Sequence, residues 1–196
     1  AEYVRMTRLT AYGQLLDIRN GTLDPADVSE QDVLDVHRYK SAIYTVAAPL
    51  KIGALLGGAT PARLTDLEAI AIDLGIAFQL RDDVLGAGFD GGQAGKSAND
   101  LVEGKRTLLV VRAWRTGPDA VRARLRAVLG RPDAPAAAVD AARDAIRASG
   151  SLDYSESRIA ALTRRARGRL RRSRTIRANA KPLIAELGDR LTQRSV

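Results

Sequence analysis

The feature that most constrains this chain is an apolar helical stripe that ends in two adjacent aspartates. Apolar side chains recur at three- and four-residue spacing across residues 67–78, which predicts the buried face of an α-helix. Thr65 and the glutamate three residues later form a capping-box pattern, so we expect this helix to begin at Asp66. Because Asp82 lies four residues beyond the end of the stripe, it continues the same face, and Asp83 follows it directly.

Carboxylates in this position require a cation. A carboxylate that enters an apolar face is unfavourable unless it is paired, protonated or bound to a metal, and the negative end of the helix dipole adds to the penalty. Mg²⁺ removes both penalties and commonly takes one or two carboxylates together with substrate phosphates. Lys96 and Lys105 follow closely, which indicates an anionic ligand. An Asp-Asp pair alone leaves open a solvated, frayed helix end, whereas Mg²⁺ with a diphosphate satisfies both the carboxylates and the lysines.

The residues around the aspartates resemble one protein family. The chain carries Phe-Gln-x-x-Asp-Asp-x-x-Gly at positions 78–86, Gly-Lys-Ser at 95–97 and Asp-Leu-x-Glu-Gly-Lys-Arg-Thr at 100–107. In order and spacing, these elements resemble the second aspartate-rich region of the trans-isoprenyl diphosphate synthases, or polyprenyl synthetases. Many members of that family have a third acidic residue where this chain has Gly86, so one possible metal ligand is absent.

Three further segments are similar to the same family, at residues 13–17, 39–45 and 146–152, so the resemblance covers nearly the whole chain. The family's first Asp-Asp-x-x-Asp motif has no counterpart in this sequence. We therefore interpret residues 1–196 as the C-terminal portion of a single isoprenyl diphosphate synthase domain, similar to bacterial geranylgeranyl and polyprenyl diphosphate synthases. A chain that relies on a partner is the alternative. The resemblance implies an all-α helical bundle of the isoprenoid synthase type, with the N-terminal helices absent from this chain.

The activity that the resemblance implies is prenyl transfer. Isopentenyl diphosphate condenses with an allylic diphosphate, with Mg²⁺ as cofactor, to give a longer trans-prenyl diphosphate and pyrophosphate. The implied metal-binding residues are Asp82 and Asp83, with Asp100 in a supporting position that orders metal-bound water. The implied diphosphate-binding lysines are Lys40, Lys96 and Lys105, and the implied catalytic residues are Lys40, Ser41 and Gln79. A homodimer is expected, and the 196 residues alone are expected to be inactive.

Two alternatives remain open at the level of sequence. A class I terpene cyclase of related fold would also use carboxylate-bound Mg²⁺ to ionise an allylic diphosphate. A non-catalytic subunit of a heteromeric prenyl synthase would explain a missing first aspartate motif. The Gly-Lys-Ser and Glu-Gly-Lys segments favour the synthase, because they resemble its diphosphate-binding loop.

Composition excludes several other classes. The chain has no cysteine, so it can form neither a disulfide nor a thiolate metal site. It has no apolar run long enough to span a membrane, so we expect no stable membrane insertion and a cytoplasmic location. The net charge of +8 is local, because seven arginines fall within residues 164–174. An apolar face opposite these arginines and the absence of interleaved aromatic residues argue against nucleic-acid binding.

The pattern predicts an almost entirely helical chain, with turns at Gly- and Pro-containing positions. Ser29 and Asp32 are placed to cap the second helix, Lys40 interrupts its apolar line, and Pro49 should bend it. The predicted helices span residues 2–20, 30–57, 66–88, 105–116, 118–130, 134–149, 152–174 and 178–193.

Overall fold

Helices provide all of the regular secondary structure in the part of the chain that the computed structural model describes, which is residues 1–89 and 99–192. The prediction of an all-α fold is therefore confirmed. In chain order, the helices are α1 (Glu2–Thr22), α2 (Glu30–Val36), a π-helix (His37–Ala47), α3 (Ala48–Leu56), α4 (Pro61–Gly86), α5 (Asn99–Val102), α6 (Leu108–Thr116), α7 (Asp119–Arg126), α8 (Ala136–Ala148), α9 (Ser151–Arg172) and α10 (Lys181–Thr192). Short 3₁₀ turns occur at Pro25–Asp27 and Ala178–Ala180.

Helix α4 begins five residues earlier than the predicted start at Asp66, so that prediction is wrong. Thr60 and Pro61 mark the start of the helix. The Thr60 hydroxyl accepts a hydrogen bond from the Arg63 N–H at 3.4 Å, and Pro61 is the first helical residue. Proline is favoured at this position because the first N–H groups of a helix have no intrahelical partner. The Thr65 hydroxyl instead donates to the Pro61 carbonyl at 3.1 Å.

The second predicted helix is continuous from Glu30 to Leu56, but its middle section is a π-helix. The predicted cap is confirmed: the Ser29 N–H donates to Asp32 Oδ2 at 2.8 Å, and the Asp32 N–H donates to Ser29 Oγ at 3.0 Å. At the far end of the π-helix, the Ala48 N–H donates to the carbonyl five residues earlier. Pro49 follows at once, and its missing N–H interrupts the four-residue hydrogen-bond pattern at this point. Eleven residues of π-helix therefore lie directly before Pro49, and the bend expected at Pro49 stays a prediction.

The chain forms two compact units, whose boundaries fall within α1, α2, α4 and α9. Unit 1 comprises Ala1–Leu16, Leu34–Gln79 and the described part of Arg158–Ser195. Unit 2 comprises Asp17–Val33 and the described part of Leu80–Ser157.

The core of unit 1 is centred on α4. The predicted apolar face of this helix is confirmed, because the side chains at Leu67, Ile70, Ala71 and Leu74 are all buried. Three of these pack into one cluster with apolar side chains of α9 and the segment that follows it: Ala166, Leu170, Ile176 and Ile184. Ala71 packs in a second cluster with Val46 and Ala47.

A buried carboxylate lies within this core and is neutralised by arginines of α9. Asp73 is 3% exposed, and Arg165 donates to both of its oxygens, from Nε at 2.9 Å and from Nη2 at 2.6 Å. Arg169 Nε lies 3.4 Å from Asp73 Oδ2. The hydrogen bonds to Asp73 raise the pKa of Arg165. Part of the arginine cluster that the sequence placed on the exterior is therefore used to neutralise an internal acid.

The core of unit 2 is centred on α6, which packs against α7 and α8. Thr107 caps α6, with its hydroxyl accepting from the Val110 N–H at 3.4 Å. The Arg81 guanidinium forms a two-pronged ion pair with Glu156, with both hydrogen bonds at 2.6 Å. No helix among the described residues is both long enough and apolar enough to cross a membrane.

We expect Asp73→Asn in the complete protein to lower the free energy of unfolding by about 1–3 kcal/mol. The reason is that the Arg165 guanidinium would lose the buried carboxylate with which it pairs. The matched control is Asp144→Asn, which removes an exposed pair with Arg147 and should change the free energy by less than about 0.5 kcal/mol. Urea unfolding followed by circular dichroism measures both values. Equal effects of the two substitutions would contradict the role assigned to Asp73.

Candidate functional site

The C-terminal turn of α4 carries the aspartate pair. Asp82 is half-buried, whereas Asp83 is only 6% exposed. The sequence placed Asp82 on the buried face, so the structure reverses the order of burial. The physical reason is that Leu80 and Val84, four residues apart and each 1% exposed, mark the buried face of this end of α4, and Asp83 lies on that face. This face is not the one that Leu67, Ile70 and Leu74 mark earlier in the helix, so the apolar stripe cannot be extended from Phe78 to Asp82.

A third carboxylate reaches the same turn from α5. Asp100 is 8% exposed, and its carboxylate lies against the Cα of Gly86. A Cβ atom at position 86 would be 2.7 Å from Asp100 Cγ and closer still to one of its oxygens, so any side chain there would collide with it. Gly86 therefore provides the space that the Asp100 carboxylate occupies, three residues along α4 from Asp83.

The turn that follows α5 brings a lysine back to Asp100. Gly104 has a φ of 74°, a left-handed conformation that glycine adopts without strain at the end of a helix. The Lys105 N–H then donates to the Asp100 carbonyl at 3.0 Å, and the Lys105 ammonium donates to the Asp100 carboxylate. The same ammonium lies 3.1 Å from Glu103 Oε2. The Glu-Gly-Lys sequence thus folds into a turn that places an ammonium between two acids.

Burial dominates the electrostatics of this cluster. Burial raises the pKa of Asp100, and the nearby charges of Asp83 and Glu103 act in the same direction. The Lys105 ammonium opposes this rise through its hydrogen bond and charge but does not cancel it. Burial also disfavours the charged form of Lys105, yet its bonds to Asp100 and Glu103 outweigh burial and raise its pKa. The ionised Asp100 carboxylate is therefore less favourable in the folded chain than in water.

Three of the other predicted site residues lie in unit 1, and one lies outside the residues that the structure describes. Lys40 and Ser41 are half-buried residues of the π-helix, and Gln79 is a half-buried residue of α4. The structure brings together Asp83, Asp100 and Lys105 in unit 2, whereas Lys40, Ser41 and Gln79 belong to unit 1. Lys96 lies outside the described residues, so its assignment stays a prediction.

Unit 1 also contains an open cavity of about 630 Å³ that the sequence did not reveal. Its wall includes Tyr12 of α1 and Tyr39 of the π-helix, whose rings meet edge to face with centroids 5.3 Å apart. Arg38 lines it as well and lies over the Tyr39 ring. The cavity as a whole had no signal in the sequence, because its residues come from three separate helices.

The carboxylates at the end of α4 suit a metal that shares its ligands with a substrate. Among residues 1–89 and 99–192, no group of three acidic or histidine side chains is placed so that it could hold a metal alone. Mg²⁺ does not need such a group, because it usually binds one or two carboxylates together with waters and phosphate oxygens. Asp82 and Asp83 could provide those carboxylates, and the space beside Gly86 holds Asp100 against the same turn of α4. The donors are all oxygens, which is the set that a hard cation prefers.

Sequence comparison supports the same family as the motifs. Residues 2–146 match the sequence profile of the family described as polyprenyl synthetase. A geranylfarnesyl diphosphate synthase of Aeropyrum pernix is 34% identical over 192 residues, which are 97% of this chain and 57% of that protein. A short chain isoprenyl diphosphate synthase of Methanothermobacter thermautotrophicus is 37% identical over 122 residues, which are 62% of this chain and 37% of that protein.

Structural comparison agrees with the sequence. A geranylgeranyl pyrophosphate synthase of Corynebacterium glutamicum, solved in complex with isoprenyl diphosphate and magnesium, superposes with a TM-score of 0.88 at 33% identity. That match covers 98% of this chain and 54% of the other. A polyprenyl synthase of Caulobacter crescentus, in complex with calcium and isoprenyl diphosphate, gives a TM-score of 0.84 at 28% identity and covers 100% and 58% of the two chains. The chain thus spans about half the length of the relatives that it matches, and it belongs to the polyprenyl synthetase family.

Proposed function

We propose that the complete protein containing this chain is a Mg²⁺-dependent trans-prenyl diphosphate synthase. It would condense isopentenyl diphosphate with an allylic diphosphate and release pyrophosphate. The observation that carries this proposal is the convergence of Asp83 and Asp100 on the last turn of α4, beside Gly86. The relative from Corynebacterium glutamicum supports it, because that structure contains magnesium and isoprenyl diphosphate at a TM-score of 0.88.

In this proposal the acidic residues hold the metal. Asp82 and Asp83 would bind it directly, and Asp100 would orient metal-bound water. When bound, Mg²⁺ neutralises charge that develops on the diphosphate leaving group. Burial makes the ionised form of Asp100 unfavourable in the ligand-free chain. A cation beside this carboxylate would therefore stabilise its ionised form.

The lysines and polar side chains would bind and orient the substrate. Lys40, Lys96 and Lys105 would contact the diphosphate, where ammonium groups stabilise charge as the leaving group departs. Lys105 would do so from its position beside Asp100 and Glu103, which keeps its ammonium protonated. Ser41 and Gln79 would present oxygen dipoles to the cationic carbon or orient the diphosphate. We also propose that the complete enzyme is a cytoplasmic homodimer, as the family resemblance implies.

A terpene cyclase is the less favoured alternative, because the relatives described above carry the names of diphosphate synthases. The two functions differ in one reactant. Chain elongation consumes isopentenyl diphosphate, whereas cyclisation proceeds without it, so product analysis with and without isopentenyl diphosphate distinguishes them. A non-catalytic subunit would give neither product.

We expect Asp82→Ala in the complete protein to lower turnover by about 10²-fold or more at saturating Mg²⁺, because the leaving group loses charge compensation. Pyrophosphate release from an allylic diphosphate and isopentenyl diphosphate measures this. The control is Asp133→Ala, which removes an exposed aspartate from a turn and should leave the rate unchanged. Near-normal turnover of Asp82→Ala would show that the metal assignment is wrong.

We expect Asp100→Asn to stabilise the metal-free protein at neutral pH. The folded state raises the pKa of Asp100, so the ionised carboxylate weakens the fold above that pKa, and an amide removes the penalty. The gain should vanish as the pH falls below the unfolded value, where the wild-type carboxyl is protonated in both states. Urea unfolding of both proteins across the acidic range measures the difference.

Asp66→Asn is the matched control, with the opposite sign. Hydrogen bonds from the Ser173 and Thr175 hydroxyls, at 2.6 and 2.7 Å, lower the pKa of Asp66. Its carboxylate therefore stabilises the fold above the unfolded pKa, and this contribution is lost as the pH falls through the lowered pKa. Asp66→Asn should weaken the protein at neutral pH. Two changes of the same sign would contradict the electrostatic account of Asp100.

We expect the 196 residues alone to be inactive. Large apolar side chains are exposed on α1 and α3, including Leu15 at 65%, Ile18 at 57% and Leu56 at 87%. Exposed apolar surface of this kind favours association. The isolated segment should bind a hydrophobic dye and release no pyrophosphate, whereas the complete protein should bind little dye and be active. Elongation of an allylic diphosphate by the isolated segment would contradict this proposal.

A further inference from the structure

The backbone of the π-helix that carries Lys40 and Ser41 is in close contact with two glycines of neighbouring helices. Gly13 lies in α1 and Gly75 lies in α4, and both belong to unit 1 together with the π-helix. A glycine inside a helix is less favourable than alanine, but it lets another backbone approach closely. At both positions the π-helix makes such a close approach.

Gly13 lies directly against the backbone of Lys40. A Cβ atom on Gly13 would overlap the Lys40 backbone nitrogen, and it would lie 2.6 Å from the Tyr39 carbonyl carbon and 2.7 Å from Lys40 Cα. All three are backbone atoms, so no side-chain rotation could relieve the overlap. An added methyl group could be accommodated only if α1 and this turn of the π-helix moved apart.

Gly75 makes the corresponding contact on the other side of Ser41. A Cβ atom on Gly75 would lie 2.5 Å from Ala42 Cα and 2.6 Å from Ala42 Cβ. The two glycines therefore contact the residues on either side of Ser41, which are Lys40 and Ala42. Two such contacts fix both the depth and the rotation of the turn from which these two side chains project.

We propose that Gly13 and Gly75 are positioning residues for Lys40 and Ser41. They act by setting where the π-helical backbone lies, and they do not touch the substrate themselves. The inference rests on the proposed function, because it assumes that Lys40 binds the diphosphate. A displacement of about 1 Å at a substrate-binding group can lower kcat/KM by about 10²-fold, so a single methyl group is enough to matter here.

The same chain provides matched controls. Gly21 lies in α1 as Gly13 does, and Gly53 lies in α3, but no atom lies within 4 Å of a Cβ built on either of them. Gly21→Ala and Gly53→Ala therefore change the same residue type in a helix without forcing two backbones apart. Both should keep wild-type kcat/KM.

The test is a double-mutant cycle in the complete protein with Gly13→Ala and Lys40→Ala, measuring kcat, KM for the allylic diphosphate and the thermal transition. Gly13→Ala should keep a cooperative transition and lower kcat/KM by about 10²-fold, mainly through KM. In the Lys40→Ala background, the same substitution should lower kcat/KM by less than about 3-fold, because the group that it displaces is already absent. If Gly13→Ala instead caused a general loss of structure, it would lower kcat/KM by the same factor with and without Lys40→Ala. The same cycle with Gly75→Ala repeats the measurement should Gly13→Ala fail to fold.

The outcomes separate this inference from the proposed function. If Lys40→Ala lowers kcat/KM and the effect of Gly13→Ala is fully additive to it, the positioning role is wrong while the role of Lys40 stands. If Lys40→Ala has no effect, both are wrong. Amide exchange in the wild-type protein provides a check without any substitution, since the packed backbone at residues 39–42 should exchange slowly. Rapid exchange there would overturn the proposal.

Discussion

Burial of helix α4 is the constraint on which the rest of the structure depends. A carboxylate in the buried part of this helix is unfavourable unless a cation or hydrogen-bond donors meet it. At Asp73 the guanidinium groups of Arg165 and Arg169 meet that requirement. At the C-terminal end, Asp83 and Asp100 come close together beside Lys105, and burial raises the pKa of Asp100. The same physical rule therefore produces a structural ion pair in one place and a candidate metal site in another.

Much of the fold could be predicted from the sequence because it depends on local patterns. The helical periodicity located the long helices, and the Ser29–Asp32 cap and the burial of Leu67, Ile70, Ala71 and Leu74 were predicted correctly. The start of α4 was predicted wrongly from the Thr65 capping pattern. The helix begins at Pro61, and Thr60 accepts a hydrogen bond from its first turn. The π-helix was not predicted: Pro49 indicated a bend, whereas the structure has a π-helix over His37–Ala47 that lies in contact with Gly13 of α1 and Gly75 of α4.

The candidate site was likewise predictable in part. Asp83, Asp100 and Lys105 were identified from their motif, and the structure brings these three together. The burial of Asp83 in preference to Asp82 was not predicted, because the apolar stripe was extended along one line, whereas the buried face changes along α4. The contact between Gly86 and Asp100 was also not predictable, since it joins two helices across the sequence. The role of Lys96 and the single-domain interpretation of residues 1–196 stay predictions.

The contact between Gly86 and Asp100 has a consequence for how such sites can change during evolution or by design. In the family resemblance described above, many members have an acidic residue where this chain has glycine. Introducing an aspartate at position 86 of this chain would not add a ligand, because its Cβ would displace the carboxylate that already occupies the space. In this chain the two positions therefore share one space, although fourteen residues separate them in the sequence. An acidic side chain introduced at position 86 would need a smaller side chain at position 100.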